Sequence, residues 1–148
     1  MRGSAIFMVA LSAICLTTGC TAEQPFPPCP DGASRAEVFN TYADHPIADL
    51  HVLEGSRVSL VCDYALAYER AEPRSFKEDE LGKRRITIFR IFGKDSTSTV
   101  WAYGLPGADV ATALIFDTGE SFFLPNSGPD EYLAAESTVI DRSEIPTR

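Results

Sequence analysis

The sequence predicts a small α+β domain: a mostly antiparallel β-sheet with one or two short helices, with an all-β barrel or sandwich as the alternative. Three observations predict it. Short runs rich in β-branched and aromatic residues recur along the 148-residue chain, most densely in Arg84-Arg85-Ile86-Thr87-Ile88-Phe89-Arg90-Ile91-Phe92. Most connections between these runs are too short for the crossovers that parallel strands need. Two stretches, after Ser34 and after Ser127, carry helix-start signals.

Taken in order, Ser34-Arg35-Ala36-Glu37 has capping-box spacing, serine and glutamate each satisfying the other's free amide. Ala36, Val38, Phe39, Tyr42 and Ala43 form an apolar stripe, so a helix is expected over 35–43, ended by His45-Pro46. Leu50–Leu53 and Arg57–Tyr64 read as strands joined by Glu54-Gly55-Ser56. In the second, Val58, Leu60, Cys62 and Tyr64 recur at period two, which turns Cys62 toward the core. Residues 69–85 are dense in charge, carry Pro73 and Gly82, and form a long connection with one helical turn from Ser75. Connections of that length carry function more often than short ones.

Arg84–Phe92 is apolar on both faces and is therefore placed centrally, with Lys83, Arg84, Arg85 and Lys94 as charged guards against aggregation. Thr99–Tyr103 is a further strand that carries Trp101. Ala111–Phe116 and Ser121–Leu124 flank Asp117-Thr118-Gly119-Glu120, a hairpin with Gly119 at the position that needs positive φ. Ser127-Gly128-Pro129-Asp130 opens a short helix to Glu136, with proline in the first turn. Val139-Ile140 supplies a last strand.

The N-terminus speaks to address. Arg2 precedes an apolar run from Ala5 to Leu16, shorter than the roughly 20 residues that span a bilayer. A charged start, a short apolar core and a small-residue site make up a cleavable signal. Leu16-Thr17-Thr18-Gly19-Cys20 resembles the lipobox of bacterial envelope lipoproteins, with Thr17 where that class usually has leucine. The resemblance implies cleavage before Cys20, a diacylglycerol on its thiol, and acylation of the new amino group. For a Gram-negative envelope it also implies outer-membrane sorting facing the periplasm, because Thr21 stands where an aspartate would retain the protein in the inner membrane. Two or more acyl chains anchor stably where one does not. The alternative is soluble secretion, or release into the periplasm, after cleavage behind Ala22.

The expected organisation is a signal at 1–19, a lipidated Cys20 with a proline-rich tether at 20–32, and one globular domain at 33–148. Thr21–Gly32 holds four prolines and favours an extended spacer. Cys15 leaves with the signal and Cys20 is lipidated or cut away, so Cys29 and Cys62 remain as a pair. An oxidising compartment makes that pair a disulfide. Closing a loop of about 34 residues stabilises the fold by roughly 3.8 kcal/mol in the chain-entropy model.

The chain is acidic, with net charge −8, which argues against nucleic acid as a partner. Residues 70–94 hold eight basic and four acidic side chains, whereas 95–141 hold eight acidic and no basic ones. An acidic segment of this kind steers a cationic protein. Asp109, Asp117, Glu120, Asp130 and Glu131 are the candidate contacts.

Other motifs yield to plainer readings. Leu114-Ile115-Phe116-Asp117-Thr118-Gly119 looks like the aspartic-protease signature, but no second copy exists to share a proton across a carboxylate pair. Glu120 also stands where that family has a small residue, so the stretch is read as a turn. Val52–Cys62 is similar to the second strand of immunoglobulin domains, yet no cysteine follows Cys62. His45, Asp49 and His51 are the one histidine cluster, and their spacing fits neither a helical zinc pair nor a known metal loop. Tyr64, Tyr68, Phe89, Trp101, Phe122 and Phe123 read as core aromatics. No catalytic constellation, cofactor loop or metal set is legible, so none is assigned.

The leading expectation is therefore a lipid-anchored, non-enzymatic envelope protein that binds another macromolecule, such as an inhibitor or immunity protein against a cationic hydrolase. An envelope enzyme acting on cell-wall or lipid material is the second expectation. An assembly accessory docking through a sheet edge is the third. Oligomeric state is left open.

Overall fold

Residues 29–42, 44–66, 71–81, 85–106, 111–125 and 136–148 are described by the computed structural model. Among the described residues eight strands are formed: β1 (Arg35–Tyr42), β2 (Ile47–Glu54), β3 (Glu72–Pro73), β4 (Arg85–Phe92), β5 (Thr97–Gly104), β6 (Thr112–Phe116), β7 (Ser121–Leu124) and β8 (Ser137–Asp141). They make one sheet in the order β3-β7-β6-β5-β4-β1-β2-β8, and every pair is antiparallel. One α-helix, α1 (Val58–Leu66), follows β2 through a 3-10 turn at Gly55–Arg57. The fold is thus sheet-dominated with one short helix among the described residues. Among the described residues it is one open sheet with β3 and β8 at its edges, which fits the sheet-rich alternative better than an even α+β division.

Side chains alternate across a strand, so the register sorts the apolar residues into two cores. On the first face, Val38 lies opposite Phe89, which lies opposite Val100, which lies opposite Phe116. Ala36, Leu53, Leu114, Phe122 and Leu124 join this cluster, and α1 adds Val58 and Val61. Phe116 and Phe122 meet edge to face at 5.8 Å. On the second face, Phe39, Ile88 and Trp101 stand side by side through the same register, backed by Leu50, Ile86, Tyr103, Ile140 and Ile145. The C-terminal segment lies against this face. The Trp101 indole N–H donates to the Pro146 carbonyl at 3.3 Å, and Arg148 sits 5.8 Å over the Tyr103 ring.

Several sequence expectations are corrected. Residues 35–43 were expected as a helix, yet Arg35–Tyr42 is the strand β1. The capping box is not formed, because Glu37 is buried between Arg35 at 2.7 Å and Arg90, whose Nε donates at 2.8 Å. Residues 57–64 were expected as a strand, and instead they turn and enter α1. Val58, Val61 and Cys62 are spaced as one helical face, and that face packs on the core. The immunoglobulin-like reading of this stretch fails with the strand. Strand β2 runs longer than expected, from Ile47. Within 69–85, the described residues hold the short β3 and a turn in which the Glu80 amide donates to the Lys77 carbonyl at 3.0 Å. The expected helix over 127–136 lies outside the described residues except at its last position, Glu136.

Other expectations are met. β4 lies inside the sheet between β5 and β1. The β6–β7 hairpin turns on Gly119 at φ +89°. Cys29 and Cys62 form a disulfide, with S–S 2.04 Å and Cα–Cα 5.6 Å, and both pack against the first core. The segment ahead of β1 is held again by the Lys94 amide donating to the Asp31 carbonyl at 2.9 Å. It passes so close to Gly93 that a Cβ there would lie 2.4 Å from Cβ of Pro30.

Candidate functional site

The helix α1 covers the part of the first face where Ala36, Val38 and Leu53 lie. Further along the same face, β1, β2 and β4 present polar side chains. Pairing sets Asn40 beside Asp49 on one flank and beside Thr87 on the other, while His51 lies beside Val38 and Tyr42 beside Arg85. A pocket of about 410 Å3 opens here, with walls of Asn40, Tyr42, His45, Asp49, His51 and Arg85, joined by Thr41, Ile47 and Ala48.

Local hydrogen bonds fix its walls. The Thr41 hydroxyl donates to the Ile47 carbonyl at 3.2 Å, tying the two sides of the β1–β2 connection. The Arg142 guanidinium donates to the carbonyls of Tyr42 at 2.6 Å and His45 at 3.0 Å, so the C-terminal turn holds the rim. The Tyr42 and His45 rings lie 6.0 Å apart and tilted. That turn is itself capped. The Asp141 carboxylate accepts from the Ser143 amide and hydroxyl, which lowers its pKa below the usual carboxylate value.

Inside the pocket, the Asn40 side-chain oxygen accepts from the Thr87 hydroxyl at 2.9 Å and from Arg85 at 3.4 Å. Its amide nitrogen is buried and has no partner among the described residues. A buried donor left unmade costs about 1–3 kcal/mol, which an accepting ligand atom would recover. His51 is buried at the floor. The site thus offers amide, guanidinium, imidazole and carboxylate groups to one ligand. Among the described residues no three His, Cys, Asp or Glu side chains converge as they would on a metal ion.

The rim is apolar. Tyr42, Ile47, Val52 and Val139 are the large hydrophobic residues most exposed among those described, at 57, 45, 40 and 61 %. Single exposed apolar residues are ordinary on any surface. Here Tyr42, Ile47 and Val139 share the pocket's face on the adjacent strands β1, β2 and β8.

The acidic candidates fare differently. Asp117 and Glu120 sit at the β6–β7 turn. The Asp117 carboxylate accepts from the Thr99 amide at 2.7 Å, and that of Glu120 from the Thr118 hydroxyl at 3.1 Å. Asp117 therefore joins the β6–β7 turn to the start of β5, a structural task. Asp109, Asp130 and Glu131 lie outside the described residues, as do Cys20 and the tether up to Pro28. The structure does unite His45, Asp49 and His51, which the sequence showed only as neighbours. Asn40, Tyr42 and Arg85 were missed. They join the site through β-pairing, and a helix over 35–43 hid it. Comparison with protein-family models, with curated proteins and with solved structures finds no match to this chain.

Proposed function

We propose that the chain is a lipid-anchored, non-enzymatic envelope protein that binds another macromolecule through the β1–β2–β8 end of its sheet. The observation that carries this reading is the exposed apolar trio Tyr42, Ile47 and Val139 on the same face as a polar pocket. Binding surfaces combine exposed apolar anchors with a few fixed polar groups in this way. The address rests on the lipobox-like Leu16–Cys20 and the proline-rich stretch that follows it. In its narrower form the partner is a cationic hydrolase steered by the acidic segment 95–141.

The test is an affinity pull-down with the full chain from detergent-solubilised envelopes. A specific partner should be retained by the native protein and lost by Ile47→Lys and Asp49→Ala. Retention by both variants would remove the site. Binding to a cationic partner should weaken steeply with salt, and salt-independent binding would remove the narrower form. A Cys20→Ala chain that still fractionates with membranes would remove the anchor.

The pocket also favours a second reading, an envelope enzyme acting on wall or lipid material, because two histidines and a carboxylate line one cleft. This reading predicts turnover of isolated envelope material that His51→Gln abolishes while the fold persists.

A further inference from the structure

The two ends of the sheet are built differently. At one end, β3 is two residues long and consists of Glu72 and Pro73, a charge and a residue without an amide hydrogen. Such short, charged, proline-bearing edges block further pairing. At the other end, β8 is Ser137-Thr138-Val139-Ile140-Asp141, with no lysine, proline or glycine. Nothing among the described residues pairs with its outer side.

The direction of the free groups follows from the register. Arg142 and Pro46 continue the β2–β8 pairing, in which Asp141 lies opposite Ile47. The Arg142 amide donates to the Pro46 carbonyl at 2.9 Å. Backbone groups alternate in direction along a strand, so Ile140 and Thr138 also face β2. Ser137, Val139 and Asp141 therefore point their amides and carbonyls outward. The Asp141 amide is covered by the Glu144 carboxylate at 3.3 Å. Val139, at the middle of the strand and 61 % exposed, has no strand partner for its outward backbone groups among the described residues.

We propose that β8 pairs antiparallel with β8 of a second copy of this chain, about a two-fold axis at Val139. The strand is complementary to itself in this register. Val139 faces Val139 of the second copy, Thr138 faces Ile140, and Ser137 faces Asp141. At the ends, Glu136 faces Arg142, whose guanidinium stays on the Tyr42 and His45 carbonyls, and no like charges meet. The two Asp141 side chains stand roughly 13 Å apart along the strands, four residues at about 3.3 Å each. Shifting by two residues either sets Val139 against Asp141 or breaks the valine pair and shortens the ladder. The guarded β3 edge limits growth to one pairing, so the assembly closes as a dimer and does not run on as a fibre. An axis normal to the sheet keeps the pocket faces of both copies on one side. Two pockets would then flank a floor that contains the valine pair. The proposal shares Val139 with the surface proposed above, but its test reads association of the chain with itself, whereas that of the heterologous partner uses Ile47 and Asp49.

The experiment uses the full chain purified in detergent. Opposed residues in a hydrogen-bonded antiparallel pair have Cα atoms about 5.5 Å apart, inside the roughly 4.4–6.8 Å range of disulfides. Val139→Cys should form a covalent dimer on mild oxidation. Thr138→Cys, whose copies would lie roughly 8 Å apart by the same spacings, should cross-link at least about tenfold less. Sedimentation in density-matched detergent should show the native chain as a dimer. Val139→Lys, a change at an exposed position, should give a monomer with the same circular dichroism. A native chain that sediments as a monomer at submillimolar concentration overturns the proposal. So does a Val139→Lys chain that remains a dimer, or equal cross-linking by both cysteine variants. An edge that cross-links only after envelope extract is added belongs to another protein and also overturns it.

Discussion

Breaking the Cys29–Cys62 disulfide gives the most direct test of how this sheet is stabilised. The bond joins residues 33 apart in sequence. Opening a loop of that size returns conformational entropy to the unfolded chain, worth roughly 3.7 kcal/mol in the chain-entropy model. That is a large share of the 5–15 kcal/mol typical of a domain. It corresponds to a fall in Tm of roughly 10–20 °C for a domain of this size. The assay is urea unfolding of the purified chain with and without reductant, beside Cys29→Ala, Cys62→Ala and the double variant. All three variants should lose the same stability within about 1 kcal/mol, because each opens the same loop. Cys62 packs on the first core through α1, so its variant should be the weaker by the margin of that contact. Reductant should lower the native protein to the level of the variants and leave the double variant unchanged. A native protein indifferent to reductant, or a double variant as stable as the native chain, would refute the argument.

Three further changes test the packing. Leu114→Ala removes a fully buried side chain from the first core and should cost about 2–5 kcal/mol by chemical denaturation. Gly93→Ala should cost about 1–3 kcal/mol, because its Cβ would meet Pro30 at 2.4 Å. Gly104→Ala, whose nearest contact would be 3.9 Å from the Arg85 carbonyl, is the milder control. Burial raises the Tyr103 pKa above its usual value of 10.0. Its neutral form is therefore favoured in the folded state, so the stability it contributes is present below pH 10 and is lost as pH rises through the raised folded value. Tyr103→Phe should flatten that alkaline decline in a stability–pH series.

The sheet was legible where the chemistry of a strand appears undiluted. Residues 85–92 and 97–104 are mostly β-branched and aromatic, and Asp117-Thr118-Gly119-Glu120 marks a hairpin whose turn places Gly119 at positive φ. The strand β1 was not legible, because both its faces are buried. Val38 goes to one core and Phe39 to the other, so no alternation survives, and Ser34 with Glu37 imitates a cap. The reverse error at α1 has the opposite cause. Val58, Leu60 and Cys62 happen to alternate, while the governing spacing is Val58, Val61 and Cys62. The candidate site inherited the first error. Asn40 meets Asp49 only if β1 is a strand, whereas the cysteine pairing needed no secondary structure at all and was foreseen correctly.

The covalent link between Cys29 and α1 also decides how this protein bears load. A pull on the chain ahead of Cys29 does not reach β1 first. It divides at the disulfide, one branch running into α1 and the other into the clamp between Asp31 and Lys94. Beyond that clamp, β1 lies between β2 and β4 and is bonded along both sides. Drawing it out lengthwise would shear two ladders at once, with no single bond available to yield first. Reduction would remove one branch and deliver the whole tension to the hydrogen bonds. The force that this N-terminal end of the fold withstands would then be set by redox state.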